Sequence, residues 1–215
     1  MRLIVGMTGA TGAVLGVRLL TELRGNPRVE THLVLSRWAR ATVELETGLS
    51  ARDVAALADV TYSPDDQGAA ISSGSFPADG MVIVPCSMKT LAGIRAGYAD
   101  GLMGRAADVT LKERRRMVLV PRETPLNEVH LTNMLELARM GVSIVPPMPA
   151  FYNRPESVDD IVGHIVVRVL DQFGIETAGA RRWDGFPRPP GGRPEPAADV
   201  PVVRRNGTKQ RSARS

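Results

Sequence analysis

The chain has 215 residues, a hydrophobic content of 43% and a formal net charge of +4. This length fits one medium domain, and no uninterrupted apolar run approaches the ~20 residues that a membrane-spanning helix needs. One cysteine and three histidines exclude an internal disulfide and a Cys/His zinc framework. Glycines interrupt the apolar start where a signal peptide would continue, so we expect a cytoplasmic protein. The small number of cysteines and histidines also leads us to expect no metal.

The positive charge is concentrated near the end of the chain. Residues 181–215 contain nine Lys and Arg against three Asp and Glu, whereas residues 1–180 are slightly acidic. The terminal stretch is also rich in proline and poor in large apolar residues, so it cannot bury enough surface to offset its ordering entropy. We predict a folded domain over residues 1–184 and a disordered basic tail over 185–215. We do not expect nucleic-acid binding; a salt-sensitive RNA contact by the tail is the alternative.

Short β-branched runs alternate with amphipathic stretches along the domain. Strands are predicted at residues 2–5, 32–35, 81–84, 117–120 and 142–145, and helices at 13–23, 38–46, in part of 91–107, at 127–140 and from 158 onward. These strands are too uniformly apolar to be half exposed, which favours a parallel sheet covered by helices on both faces. The alternation predicts a single α/β domain with a doubly wound, Rossmann-like or flavodoxin-like sheet. Pro85, Pro121 and Pro146 are expected to end three of the strands.

A glycine-rich turn follows the first predicted strand. In the sequence GMTGATG, which runs from Gly6 to Gly12, the small residues would let backbone N–H groups approach an anion at the start of a helix. The spacing differs from the GxGxxG of dinucleotide-binding proteins, and Ser36 stands where a ribose-binding acid would follow the second strand. The pattern favours a phosphate-bearing cofactor other than NAD, with a simple tight turn as the alternative.

The ends of two later strands carry further polar residues. The segment Ser87 to Thr90 follows the third predicted strand, and its hydroxyls either cap the next helix or bind a ligand. Arg122 and Glu123 follow the fourth strand, where a surface ion pair is the alternative to a site. Because ligands of such sheets bind beyond the carboxyl ends of the strands, these positions are candidate site residues.

Four other residues each have an ordinary structural explanation. Tyr152 lies in a proline-rich loop after the fifth strand, and Arg168 lies at the edge of the apolar stripe of the last helix, where its stem could snorkel. Lys112 belongs to a charged run before the fourth strand. Cys86 ends an apolar strand with no histidine near it in sequence, so we interpret it as a packed residue and not a nucleophile.

Several long motifs occur together and in order: GMTGATGA, VIVPCSMKTLAGI, RAADVTLKERRRMVLVPRETP, HLTNM and PPMPAFYNRPESVDD. With them the chain resembles the UbiX family of flavin prenyltransferases over about residues 1–184, particularly the forms that accompany hydroxyarylic acid decarboxylases. The resemblance implies a dodecamer with FMN at protomer interfaces and no metal. It also implies transfer of a dimethylallyl group from dimethylallyl phosphate to N5 and C6 of reduced FMN, which gives the cofactor of UbiD-type decarboxylases.

The resemblance also implies roles for individual residues. Flavin binding is implied for Gly9, Ala10, Thr11, Ser36, Ser87, Met88, Lys89, Thr90 and Arg122. Binding of the donor phosphate is implied for Lys112, Arg122, Tyr152 and Arg168, and catalysis for Glu123, Lys112 and Glu46. Thr11 stands where many members have serine, so the hydroxyl is kept. The basic tail has no counterpart in the family pattern.

Three other functions remain open from the sequence. A phosphopantothenoylcysteine decarboxylase would share the fold and FMN, but the Pro-Ala-Met-Asn loop expected of it is replaced here by Pro147-Met148-Pro149-Ala150. A direct aromatic acid decarboxylase would release CO2 without a partner enzyme. A non-catalytic FMN carrier, or an accessory protein of a decarboxylase, would keep the flavin site without prenyl transfer.

Overall fold

The computed structural model describes residues 1–177, 182, 183 and 185. The chain divides into two units, Met1–Arg182 and Trp183–Ser215. All helices and strands given below belong to the first unit. The disordered tail predicted over residues 185–215 lies outside the described residues, apart from Gly185.

Strands and helices alternate along the first unit. The strands are β1 (Arg2–Met7), β2 (Glu30–Leu35), β3 (Val60–Tyr62), β4 (Gly80–Cys86), β5 (Arg116–Pro121) and β6 (Ser143–Ile144). The helices are α1 (Ala13–Leu23), α2 (Arg37–Thr47), α3 (Ala51–Ala55), α4 (Met88–Arg95), α5 (Gly101–Lys112), α6 (Glu128–Arg139) and α7 (Val158–Asp171), with a short 3-10 helix at Ala70–Ser72. Within the described part of the chain, none of the helices is long and apolar enough to cross a membrane.

The sheet has its six strands parallel, in the order β3-β2-β1-β4-β5-β6. The chain builds outward from β1 to β3 and then returns to the other side of β1 to form β4. The direction of winding therefore reverses between β1 and β4, where the loops at the carboxyl ends diverge and leave a crevice for a ligand. This order confirms the doubly wound, Rossmann-like α/β fold predicted from the sequence.

Helices cover both faces of the sheet. Helices α1, α2, α3 and α7 pack on one face, where Leu19 and Val166 are fully buried. Helices α4, α5 and α6 pack on the other, where Leu91 and Leu137 are fully buried. Strands between two helical layers have no solvent face, which explains why their sequences are apolar at almost every position.

One of the expected strand ends is wrong. Strand β4 continues through Pro85 to Cys86, whereas β5 ends at Pro121 as expected. The pairing of β4 with β5 shifts its register between Ile83 and Cys86. A residue without an N–H is tolerated where the ladder is already irregular. Pro146, in contrast, does lie beyond its strand, β6.

The stretch expected to be helical in part over residues 91–107 is two helices, α4 and α5. Gly97 lies between them and Gly101 begins α5; their φ angles of 68° and 73° are in the left-handed region that glycine adopts readily. The sequence analysis did not predict β3 or α3. Strand β3 has three residues, stands at the edge of the sheet and is only partly buried, so it lacks the apolar run that identified the other strands.

Candidate functional site

The loops after β1 and β4 are tied together where the strand order reverses. The Thr8 hydroxyl donates to the Pro85 carbonyl oxygen at 2.8 Å, and the Ser87 amide donates to Thr8 Oγ1 at 2.8 Å. Thr8 is 2% exposed, so this buried hydroxyl holds the two loops in a fixed relation. The sequence analysis missed Thr8. A hydroxyl residue directly after a buried strand, inside the glycine turn, is the signal that could have found it.

The loop after β1 presents Gly9, Ala10 and Thr11. A Cβ atom on Gly9 would lie 2.3 Å from Trp38 Cβ, so the close approach of this loop to α2 requires glycine. The backbone N–H groups of Gly9, Ala10 and Thr11 donate to no acceptor in the described residues. Such free amides beside a helix start are suited to bind a phosphate or the polar edge of a flavin.

Glu46, predicted to be an active-site carboxylate, anchors this loop. Its Oε2 accepts hydrogen bonds from the amides of Gly12 at 2.9 Å and Ala13 at 2.8 Å. These are the first amides of α1, which have no partner within the helix. A negative charge there also interacts favourably with the positive end of the helix dipole. The structure thus places Glu46 beside the glycine loop, and its carboxylate holds the end of this loop in position.

The hydroxyls of Ser36 and Ser87 cap helices α2 and α4. Ser36 Oγ accepts from a backbone amide in the first turn of α2 at 3.1 Å. Ser87 Oγ accepts from the Thr90 amide at 3.3 Å and donates to Thr90 Oγ1 at 3.1 Å. Capping is therefore observed for Ser36 and Ser87, and Thr90 Oγ1 is a hydrogen-bond partner of the Ser87 cap. The Met88 and Lys89 amides at the start of α4 keep no partner among the described residues, so they are available to a ligand.

A cavity of about 640 Å³ opens at this end of the sheet. Its lining includes Ser36, Lys89 and Thr90, together with Arg37 and Arg40 from α2. Lys89, Arg37 and Arg40 form no ion pair with any carboxylate of the described chain. Asp65 and Asp100 also line the cavity, so its lining carries three cations and two carboxylates. The unpaired cations and the helix amides are the groups that fit a phosphorylated ligand.

Arg122 and Glu123 lie after β5, at the same end of the sheet. The Arg122 amide donates to the Cys86 carbonyl at 3.3 Å, which places this loop beside the loop after β4. The alternative of an ion pair between Arg122 and Glu123 is wrong, because the described structure contains no such pair. Glu123 Oε1 instead accepts from the Thr124 amide at 3.1 Å. Both side chains are exposed and are available to a ligand.

Lys112 lies at the opposite end of the sheet. It is the last residue of α5, which leads into the amino end of β5, and its ammonium forms an ion pair with Glu113. The hydrogen bond from Lys112 lowers the pKa of the Glu113 carboxyl. Strand β5 has six residues, so at ~3.3 Å per residue it separates Lys112 from Arg122 by about 20 Å. A single protomer therefore does not bring Lys112 to Arg122 and Glu123.

Tyr152 and Arg168 form a third group, on the side of α7. Tyr152 Oη lies 3.4 Å from His164 Nε2, and Arg168 follows one turn later on the same helix. The Arg168 guanidinium donates to Asp171 Oδ2 at 2.8 Å. The sequence analysis did not identify His164 or Asp171; their spacing from Arg168 along one helix face is the signal that could have found them.

Cys86 is fully buried in the core beside α4. Burial raises the pKa of its thiol to about 12. A thiol with this pKa carries almost no thiolate at neutral pH, so it is not a nucleophile. The interpretation of Cys86 as a packed residue is confirmed.

The donors of the site fit a phosphorylated flavin. Backbone amides of the glycine loop and of α4 are free, glycine permits a close approach, and cations line the adjacent cavity. The described residues contain no group of three His, Cys, Asp or Glu side chains placed to hold a metal ion. Charge on a bound phosphate would meet the cations of the cavity and the free amides of the two loops.

Comparisons with known proteins identify the family. Residues 1–170 match the family model described as Flavoprotein. A probable UbiX-like flavin prenyltransferase of Streptomyces sp. (strain D7) is 75% identical over 186 residues, which cover 86% of this chain and 93% of that protein. A dodecameric FMN-dependent UbiX-like decarboxylase from Escherichia coli O157:H7 gives a TM-score of 0.85 at 72% identity and covers 86% of this chain and 100% of its own.

A further solved structure, of a UbiX protein in complex with FMN and dimethylallyl pyrophosphate, gives a TM-score of 0.84. It is 54% identical and covers 86% of this chain and 98% of its own. The family model spans the whole sheet and every loop that carries a candidate site residue. The chain belongs to the UbiX-like flavin prenyltransferases, within the flavoprotein family.

Proposed function

We propose that this chain transfers a dimethylallyl group from dimethylallyl phosphate to reduced FMN. The observation that carries the proposal is the set of free backbone amides beside a cavity lined by unpaired cations, at the point where the strand order reverses. The likeness to a UbiX protein in complex with FMN and dimethylallyl pyrophosphate supports it. When bound, reduced FMN supplies the ring that accepts the C5 unit.

The chain's own contribution to flavin binding is a rigid set of donors. The segments Gly9 to Thr11 and Ser87 to Thr90 hold the flavin, and Ser36 and Arg122 complete the contacts. Thr8 and Glu46 fix the loops that carry these donors. Backbone amides held in this way need little reorganisation when the ligand binds.

The donor phosphate is bound by Lys112, Arg122, Tyr152 and Arg168. Negative charge accumulates on the phosphate as its bond to the allylic carbon breaks, and cations stabilise this charge more strongly than they stabilise the intact donor. Arginine also matches the geometry of a phosphate with two parallel hydrogen bonds. Glu123, the exposed carboxylate next to Arg122, would accept the proton released from flavin C6 when the carbon–carbon bond to the C5 unit replaces the C6–H bond.

The complete set of these residues requires a homo-oligomer. Lys112 lies a strand length away from Arg122 within one protomer, so the Lys112 of a neighbouring copy completes the site. A solved relative is a dodecamer, and we propose the same assembly here, with the flavin between protomers. The prenylated FMN formed would serve a UbiD-type decarboxylase, and the reaction would take place in the cytoplasm.

The test is anaerobic incubation of the purified chain with reduced FMN and dimethylallyl phosphate, followed by mass spectrometry of the released flavin. We expect the flavin to gain one C5 unit. Dimethylallyl diphosphate is assayed in parallel to define the donor. Unmodified FMN from a folded, flavin-loaded protein with both donors would contradict the proposal and favour the FMN carrier, and CO2 release from an aromatic acid without a partner would favour a direct decarboxylase.

Two variants separate binding from transfer in this assay. Arg168→Ala should impair use of dimethylallyl phosphate much more than binding of FMN, because its guanidinium is assigned to the phosphate. Glu123→Gln should slow transfer while flavin stays bound, since the amide cannot accept the proton. Normal turnover in either variant would remove that residue from the mechanism.

A further inference from the structure

Three side chains form a hydrogen-bonded chain next to α7. Asn153 Nδ2 lies 2.7 Å from His164 Nδ1, and His164 Nε2 lies 3.4 Å from Tyr152 Oη. The Tyr152 and His164 rings also meet edge to face, with centroids 5.7 Å apart and planes at 89°. The histidine is thus fixed on one side by the amide and on the other by the phenol. Neither Asn153 nor His164 has a role in the proposed function as stated so far.

The donor and acceptor atoms fix the direction of these two hydrogen bonds. An amide nitrogen only donates, so Asn153 Nδ2 donates to Nδ1, and the hydrogen of the neutral imidazole is on Nε2. The Nε2–H group then donates to Tyr152 Oη, and the phenol directs its own hydrogen towards another acceptor. Burial, together with the positive charge of Arg168, lowers the pKa of His164. The neutral ring that this pattern requires is therefore the favoured form.

Arg168 is held from the same helix. It follows His164 by four residues, so the two side chains are neighbours on one face of α7. Asp171 accepts from Arg168 at 2.8 Å and from Arg182 at 2.6 Å, and its carboxylate is largely buried. The Tyr152 hydroxyl and the Arg168 guanidinium consequently each have a hydrogen-bond partner on α7.

We propose that His164 is a positioning residue that orients the Tyr152 hydroxyl to donate to the phosphate of the allyl donor. This inference rests on the proposed function, which assigns the donor phosphate to Tyr152 and Arg168. Loss of the Nε2–H donor removes the contact that directs the phenol hydrogen towards the phosphate, so part of the bound population presents a lone pair, not a hydrogen, to the phosphate. The effect is on donor binding, because the flavin contacts lie on other loops.

The test compares His164→Ala and His164→Gln with wild type in the FMN-loaded protein. We expect His164→Ala to raise the KM and the dissociation constant for dimethylallyl phosphate about tenfold, in line with loss of an oriented hydrogen bond to a charged group. The kcat and the dissociation constant for FMN should change little. His164→Gln should restore most of the donor affinity, because its amide nitrogen replaces Nε2–H as a donor.

A double-mutant cycle with Tyr152→Phe separates positioning from a general structural role. If His164 acts through the phenol, His164→Ala has no further effect on donor affinity once the hydroxyl is absent. Additive effects, or an unchanged donor affinity in a folded His164→Ala protein, would overturn the inference. The dissociation constant of dimethylallyl phosphate is measured without turnover, so this inference can be tested even in a protein that makes no prenylated flavin. Absence of prenylated flavin in wild type would count against the proposed function alone. Wild type that binds no dimethylallyl phosphate would overturn both.

Discussion

The two hydrogen bonds from the start of α1 to Glu46 make this residue a loop anchor as well as a candidate active-site group. Glu46→Ala leaves the Gly12 and Ala13 amides without a side-chain partner, so we expect the free energy of unfolding to fall by ~1 kcal/mol and FMN affinity to fall about tenfold. The measurements are urea denaturation and quenching of flavin fluorescence on titration. Glu44→Ala, an exposed change on the same helix, is the matched control and should alter neither.

Glu46→Gln distinguishes the two roles of the residue. The amide oxygen of glutamine still accepts both hydrogen bonds, so FMN affinity should stay near that of wild type if the anchor is what the flavin site needs. A loss of turnover in this variant with flavin still bound would assign the carboxylate a part in catalysis. A loss of FMN affinity as large as that of Glu46→Ala would mean that the negative charge, and not the contact, supports the loop.

His32 is a buried histidine at the amino-terminal side of the sheet. Its side chain is 2% exposed, and Nδ1 lies 3.0 Å from Tyr62 Oη. Nε2 makes no hydrogen bond, although Glu30 Oε1 lies 3.2 Å from it. Burial lowers the pKa of His32 below its ordinary value, and the nearby Glu30 charge opposes this only in part. The folded protein therefore holds His32 in its neutral form.

This burial predicts a loss of stability in weak acid. The unfolded chain binds the His32 proton more readily than the folded chain, so stability is fully present above about pH 6.5 and is lost as pH falls through the lower folded-state pKa. The measurement is urea denaturation near pH 7 and near pH 5. From His32, the free energy of unfolding should fall by up to ~1.4 kcal/mol per pH unit as the pH is lowered. This contribution should be absent in His32→Gln. Tyr62→Phe should keep the dependence, because burial is its main cause; an unchanged dependence in His32→Gln would refute the assignment.

Helix α1 crosses the sheet at a point where only glycine fits. A Cβ on Gly16 would lie 2.6 Å from both the Val84 carbonyl oxygen and Met7 Cε. Gly16→Ala should therefore destabilise the protein by ~1–3 kcal/mol, since the backbone carbonyl cannot move aside. Gly163→Ala in α7 is the matched control, because its Cβ would have Arg18 Nη2 as nearest atom at 3.5 Å. It should stabilise by ~0.5–1 kcal/mol in urea denaturation, and equal effects would refute the packing argument.

Elements with strong local patterns were predictable from the sequence, and weakly patterned ones were not. Helix α1 begins and ends where its apolar spacing predicts, and five strands were found from their β-branched runs. The proline rule failed at Pro85 because tertiary pairing, here with a register shift, overrides a local preference. Strand β3 was missed because an edge strand is stabilised mainly by its neighbour β2 and not by its own burial.

At the scale of the whole molecule, the part of the candidate site that lies within one protomer was predictable from the sequence. The rule that ligands bind beyond the carboxyl ends of the strands placed Ser36, Ser87 and Arg122 at one end of the sheet, and the structure agrees. Lys112 could not be placed in this way, because a sequence does not state which surfaces of different copies meet. Its distance from Arg122 is the physical reason that the proposed site must be shared between protomers.

A shared site predicts complementation between inactive chains. Lys112→Ala and Glu123→Gln should each abolish most prenyl transfer, but a refolded equal mixture should regain about a quarter of the wild-type activity, because a quarter of randomly assembled interfaces combine an intact Lys112 with an intact Glu123. The measurement is C5 transfer to FMN in mixed oligomers. A mixture of Tyr152→Phe with Arg168→Ala is the control and should regain nothing, since both residues lie beside the same His164. No recovery in the first mixture, with oligomers formed, would mean that one protomer supplies both Lys112 and Glu123 after a rearrangement of its loops.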